Sequence, residues 1–250
     1  MSIDNQQQWL ATTIGAYLLE HEQVLFDEAV SDVFGFNALQ IGMLEMDLLR
    51  NSRMPFSCTA DGHAGEVHCE VSQLPFLCNS IDLLLLPHAL DFTHDPHQAL
   101  REAERVLVPE GHLMLTGFNP ISLWGLTRLG CKHDCFPWNA NFIPLLRIKD
   151  WLALLGFDMV VVHMACYVPP LDNLTWLDKL KFLDKSGDRW WPMMGGVYFL
   201  VAKKKVPGMR IIRPAFNKFK LNPGLLPTPT QKSDDKNGTN TTTRHGNEQQ

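Results

Sequence analysis

His88 follows Pro87 directly after a short apolar run, Ile81-Asp82-Leu83-Leu84-Leu85-Leu86. An imidazole ordinarily titrates near 6.5, which suits proton transfer, so His88 is the first candidate for catalysis. A hydrogen-bonded structural histidine is the competing reading. One more position could serve a bound nucleoside. Asp61 ends the segment Pro55 to Ala60, where a carboxylate could hold a ribose diol, although an Asp-Gly turn with Gly62 explains it equally well.

Those residues need strands to carry them, and the pattern around His88 supplies two. The run Ile81–Leu86 is short, wholly apolar apart from Asp82, and stopped by Pro87, as suits a strand covered on both faces. Asp95 then offers a cap and Pro96 a first helical residue. Ala99, Leu100, Ala103, Val106 and Leu107 recur at helical spacing opposite Arg101, Glu102, Glu104 and Arg105, up to a stop at Pro109. His112 to Thr116 reads as a second buried strand. Strand, helix and strand in this order form a parallel, right-handed unit whose carboxyl ends face ligands.

The stretches LPFLCNSIDLLLL and DPHQALREAERVLVPEGHLMLTGF, within Glu70 to Phe118, resemble the class I S-adenosylmethionine-dependent methyltransferases, in particular their type 11 group. That group carries an LPF segment, an SFD-type strand start, a helix ending in ExxRVLxPGG and a following strand. The resemblance spans roughly residues 37–202 and implies a Rossmann-like α/β fold: an open, mostly parallel sheet of about seven strands, the last antiparallel, with helices on both faces. It implies S-adenosylmethionine as cofactor and methyl transfer as the activity. It also implies site residues: Gln40 and Gly42 at the first strand end, Glu70 with Val71 and Ser72 toward the adenine, and the backbone of Pro87 and His88.

The chain departs from the family pattern at its glycine loop. An acidic residue and a GxGxG loop are usual there, and this sequence has Gln40, Gly42 and then Met43-Leu44-Glu45-Met46. Two readings follow, a modified cofactor loop or a non-catalytic descendant whose groove is filled by side chains. A nicotinamide dehydrogenase is the weaker third, because no GxGxxG follows the first strand.

The remaining expectations concern organisation. Residues 1–32 read as a helical segment, 33–205 as the α/β domain, 206–221 as a basic extension and 222–250 as a disordered tail. The leading helix, Gln6 to Asp32, packs against the sheet edge or, as the resemblance implies, contributes to a lid. Met43 to Arg50 reads as a helix, and Val67 to Val71 as a strand too close to Asp61 for a helical crossover. A net charge of −5 gives the whole molecule no pull toward nucleic acid. Residues 203–220 are basic and could dock RNA or anionic lipid, with a solvated surface the preferred reading. Cys131, His133 and Cys135 are too few to hold a metal, so none is expected. No export signal and no apolar stretch long enough to span a membrane stand out, which points to a soluble cytoplasmic protein, and the resemblance implies a small-molecule acceptor.

Overall fold

The structure, a computed structural model, describes residues 3–128, 136–170, 191 and 193–206, with side chains from residue 6 onward. Cys131, His133, Cys135, Trp190 and the segment beyond residue 206 lie outside these residues.

Seven strands form one sheet: β1 (Asn37–Ile41), β2 (Phe56–Asp61), β3 (Val67–His68), β4 (Ile81–Pro87), β5 (Leu107–Phe118), β6 (Phe157–Ala165) and β7 (Val197–Lys204). Their order is β3-β2-β1-β4-β5-β7-β6. Pairs from β3 through β5 are parallel, and β7 runs antiparallel to both β5 and β6. This is the open, mostly parallel sheet with an antiparallel last strand that the sequence leads one to expect.

The helices of the described residues include α3 (Ala89–Phe92) after β4 and α5 (Leu123–Arg128) after β5. Helix α4 (Pro96–Val106) is capped as its sequence requires, with Asp95 Oδ1 accepting from the Gln98 N–H. Its buried Ala99, Leu100, Ala103 and Val106 join Ile148 and Leu152 of α6 (Leu145–Leu154) against one face of the sheet. On the other face, Phe26 and Val30 of α2 (Thr13–Ser31) pack with Leu83, Leu85, Met114 and Phe199. The leading helix therefore lies over a sheet face, not at its edge. It is also two helices. Helix α1 (Ile3–Leu10) turns into α2 at Thr12, whose hydroxyl accepts from the Gly15 N–H. A Cβ on Gly15 would stand 2.4 Å from the Trp9 carbonyl oxygen, so glycine lets the two helices meet.

Two further expectations are corrected. Residues 43–50 form turns, not a helix, because the Gln40 side chain takes over the polar groups that helical bonds would use. Its amide donates to the carbonyls of Met43 (3.2 Å) and Met46 (2.9 Å) and its oxygen accepts from the Leu48 N–H (3.2 Å). Strand β3 is only two residues long, not the five expected from Val67 to Val71, and it reaches β2, as expected, through a loop with no helix.

The residues that carry the family resemblance turn out to brace the scaffold. Asp82 Oδ2 accepts from the N–H groups of Phe36 (3.0 Å) and Asn37 (2.9 Å), tying the start of β1 to β4. Arg105 donates to the carbonyls of Leu74 and Phe76, both at 2.8 Å, and forks onto Glu102 through Nε (3.0 Å) and Nη2 (2.7 Å). Glu102 in turn accepts from the Leu74 N–H at 3.0 Å. The LPF segment is thus pinned to α4 by one Glu–Arg pair. The hydrogen bond from Arg105 holds the Glu102 carboxyl below its ordinary value of 4.5. A lowered carboxyl contributes stability that is present above pH 4.5 and lost as the pH falls below it.

Arg105→Ala should lower stability by about 1.5–3 kcal/mol, read by urea denaturation, since it leaves partly buried carbonyls without donors. Arg105→Lys should not restore it, because an ammonium cannot reproduce the fork. A loss below about 0.5 kcal/mol on Arg105→Ala, the scatter of ordinary surface changes, would contradict the clamp.

Candidate active site

The parallel strands end together, and a cleft of about 830 Å³ opens beyond their carboxyl ends. Ile41 at the end of β1 with Gly42 after it, Asp61 at the end of β2, Cys69 after β3 and Pro87 at the end of β4 border it. Strand order reverses between β1 and β4, so the cleft lies where open α/β sheets bind ligands. Its volume falls in the range of small-molecule sites.

Most of the residues singled out from the sequence come together here. Gly42, Asp61, Glu70, Val71, Ser72, Pro87 and His88 all border the cleft. Gln40 does not. It is buried beneath the loop and spends its polar atoms bracing it, so it is not a ligand-contacting residue. Gly42 adopts a φ of 82°, followed by Met43 at 48°. A Cβ at Gly42 would find only the Pro87 carbonyl, at 3.7 Å, so the conformation, not crowding by the protein, calls for glycine. Met43 buries its side chain in the core, and the later positions do not fill the groove. Asp61 makes the Asp-Gly turn, its Oδ2 accepting from the His63 N–H at 3.0 Å, while still bordering the cleft. Glu70 is exposed, with the Ser72 hydroxyl 3.4 Å from its Oε2.

His88 departs most from expectation. Its ring is wholly buried and stacks on Phe118 with centroids 4.0 Å apart. Nδ1 lies 2.9 Å from Asp91 Oδ2, and Nε2 lies 2.6 Å from Glu22 Oε1 on α2. Both carboxylates are themselves buried. Burial alone would disfavour the charged ring, but the attraction of Glu22 and the hydrogen bonds to Asp91 and Glu22 outweigh it and push the imidazole from 6.5 up to about 10. Burial pushes the Asp91 carboxyl up as well, against the opposing pull of His88. A histidine with both nitrogens occupied and no exposure cannot take a proton from a substrate in the cleft. The expected base is instead the centre of a buried ion cluster.

Sequence reasoning missed Glu22 and Asp91, and also Gln6 and Gln7 of α1, Phe92, Thr93 and His94, which border the cleft. One signal was present. Ile14, Leu18, Glu22, Phe26 and Val30 repeat every four residues, all buried, and a carboxylate in that apolar stripe requires a partner.

The family model described as a methyltransferase domain, of the type 11 group, matches residues 43–115. The uncharacterized protein YafS of Escherichia coli (strain K12) is 37% identical over 177 residues, which cover 69% of this chain and 70% of that protein. The chain belongs to the class I S-adenosylmethionine-dependent methyltransferases, type 11 group. This methyltransferase is also 30% identical, over 108 residues, to the malonyl-[acyl-carrier protein] O-methyltransferase of Methylovorus sp. (strain MP688), covering 43% of the chain and 36% of that protein. In fold it is similar to an S-adenosylmethionine-dependent methyltransferase from Thermotoga maritima, with a TM-score of 0.57 at 17% identity over 81% of this chain and 96% of that one. The methyltransferase in complex with the Haloferax volcanii Trm112 activator gives 0.58 at 14% identity, over 82% and 98%.

The cofactor of the family is S-adenosylmethionine, and the cleft suits it in size and in its approachable backbone at Gly42. Among the described residues, no helix is long and apolar enough to cross a membrane, and no cluster of His, Cys, Asp or Glu could hold a metal. Three of the basic residues expected to face solvent or nucleic acid have acidic neighbours: Lys203 pairs with Glu110, Lys204 with Glu104 at 3.0 Å and Lys205 with Asp158 at 2.8 Å.

The His88 ring should stay doubly protonated from pH 6 to 9, as read from its ring-nitrogen chemical shifts. Because its pKa is raised, its contribution to stability is full below 6.5 and lost as the pH rises through about 10. A midpoint near 6.5 would contradict the buried pairing.

Proposed function

We propose that the enzyme, in a cytoplasmic setting, transfers the methyl group of S-adenosylmethionine to a small-molecule acceptor by in-line displacement, with the cofactor in the cleft beyond β1, β2 and β4. The observation that carries this reading is the open cleft itself, running from Gly42 past Asp61 and Glu70 to Pro87. In this reading Gly42 and the Pro87 backbone face the methionine portion, Asp61 faces the ribose, and Glu70 with Val71 and Ser72 faces the adenine. His88 supports the floor and takes no part in proton transfer. The acceptor's lone pair forms a bond to the methyl carbon while the C–S bond breaks, its electron pair passing to sulfur. Alignment and exclusion of water are the protein's main tasks in such a step, and an already nucleophilic acceptor needs no base. Gln6, Gln7 and Phe92 are placed to narrow the cleft over the bound molecules.

A non-catalytic module with a filled groove fits less well, because the Met43 side chain turns into the core and leaves the space beside Gly42 open.

Calorimetry with S-adenosylhomocysteine tests the placement. Gly42→Val should abolish measurable binding while the protein stays folded, since a β-branched residue at φ 82° must rebuild the loop. Glu70→Ala should weaken binding by about tenfold, the lower end of what a hydrogen bond to a charged group contributes, because Glu70 is exposed. Unchanged affinity in a folded Gly42→Val variant would place the cofactor elsewhere.

A further inference from the structure

The geometry points to the buried Glu22–His88–Asp91 cluster as the counter-charge that makes this cleft select the cationic sulfonium cofactor over its neutral spent form. This inference rests on the cofactor lying in the cleft as proposed above.

The charge follows from counting protons. Two hydrogen bonds join three groups, His88 Nδ1 to Asp91 and His88 Nε2 to Glu22, so two protons lie between them. An imidazolium between two carboxylates carries a net charge of minus one. A neutral imidazole between one carboxylate and one carboxylic acid carries the same. With these two protons and none on Asp91 Oδ1, the cluster is singly negative wherever the second proton sits.

Among the described residues, no nearby group cancels that charge. The groups facing the cluster are the Thr116 hydroxyl, 3.5 Å from Glu22 Oε2, the Phe118 N–H, 2.9 Å from Asp91 Oδ2, and the Tyr198 ring on β7. All are neutral. Asp91 Oδ1 and the Tyr198 hydroxyl are buried with no hydrogen-bond partner. Among the described residues, no Lys or Arg forms an ion pair with Glu22 or Asp91. Burying an uncompensated charge is costly, and a bound group of opposite sign offsets that cost.

The cleft is that place. His88 borders it, and its described lining has four carboxylates, Glu45, Asp61, Glu70 and Asp95, with no Lys or Arg. S-adenosylmethionine bears a net positive charge through its sulfonium, and S-adenosylhomocysteine bears none. Transfer of the methyl group removes the positive charge from sulfur, so a negative floor favours binding of fresh cofactor over the product. Gln40 stands where the resembled family usually has an acid and is occupied in bracing the loop, so it supplies no charge.

The test is the ratio of the two dissociation constants, S-adenosylhomocysteine over S-adenosylmethionine, measured by calorimetry. A unit charge across roughly 8–12 Å at an effective dielectric near 20 changes cation binding by roughly ten- to thirtyfold. The double variant Glu22→Gln, Asp91→Asn removes the negative charge in nearly isosteric form and should lower the ratio by about tenfold. A purely structural role would weaken both ligands equally and leave the ratio unchanged, which overturns the inference while leaving the cofactor site standing. If the unmodified protein binds neither ligand, the cofactor reading fails and the inference with it. Should the double variant not fold, Glu22→Gln alone decides. Its cluster is neutral while His88 is protonated and negative once the ring is neutral, so its ratio should rise with pH more steeply than that of the parent, whose cleft has the same His63 and His94 in its lining. A ratio in that variant with the value and pH dependence of the parent's overturns the inference.

Discussion

The hydrogen bonds to His88 tie together parts of the chain that sequence keeps far apart. Glu22 reaches it from the N-terminal helix pair, and Asp91 from the short turn beyond β4. Ionic groups with no exposure persist only when their partners are fixed, so α2 must sit on the sheet face for the strand end to be stable. Helix α1 follows from α2 through the Thr12 cap, and residues 87–95 follow from Asp91. Both then border the cleft. The N-terminal helices are accordingly part of the enzyme's floor and wall.

A second set of polar contacts does the corresponding work at the other end of the strands. Asp82 holds the entry to β1, and the Glu102–Arg105 pair holds the segment before β4. These residues carry the family resemblance, yet none of them borders the cleft. Their spacing is legible in sequence because each contact is a backbone-to-side-chain bond between elements whose separation the fold sets. The sheet was readable for the same reason, since its apolar runs, the Asp95-Pro96 start and the Pro109 stop are local signals.

The site was less legible because its contacts are not local. Gly42 could be found from the resemblance and Asp61 from its position at the end of an apolar segment, and the structure brings both to the cleft. The role of Gln40 could not, because it depends on where the carbonyls of Met43 and Met46 turn. Expecting a helix over residues 43–50 failed on the same point. At His88 the residue type suggested a base, and only its two partners, one of them 66 positions away, show an ion cluster instead. The every-fourth-residue stripe around Glu22 was the one sequence signal of that cluster.

Where S-adenosylmethionine binds can be read directly by ultraviolet cross-linking of the methyl-tritiated cofactor, followed by mapping of the labelled peptides. Label on peptides containing residues 41–46, 61–72 or 87–95, displaced by excess S-adenosylhomocysteine, is the result expected of a cofactor held beyond β1, β2 and β4. Displaceable label confined to peptides outside those segments would contradict that placement.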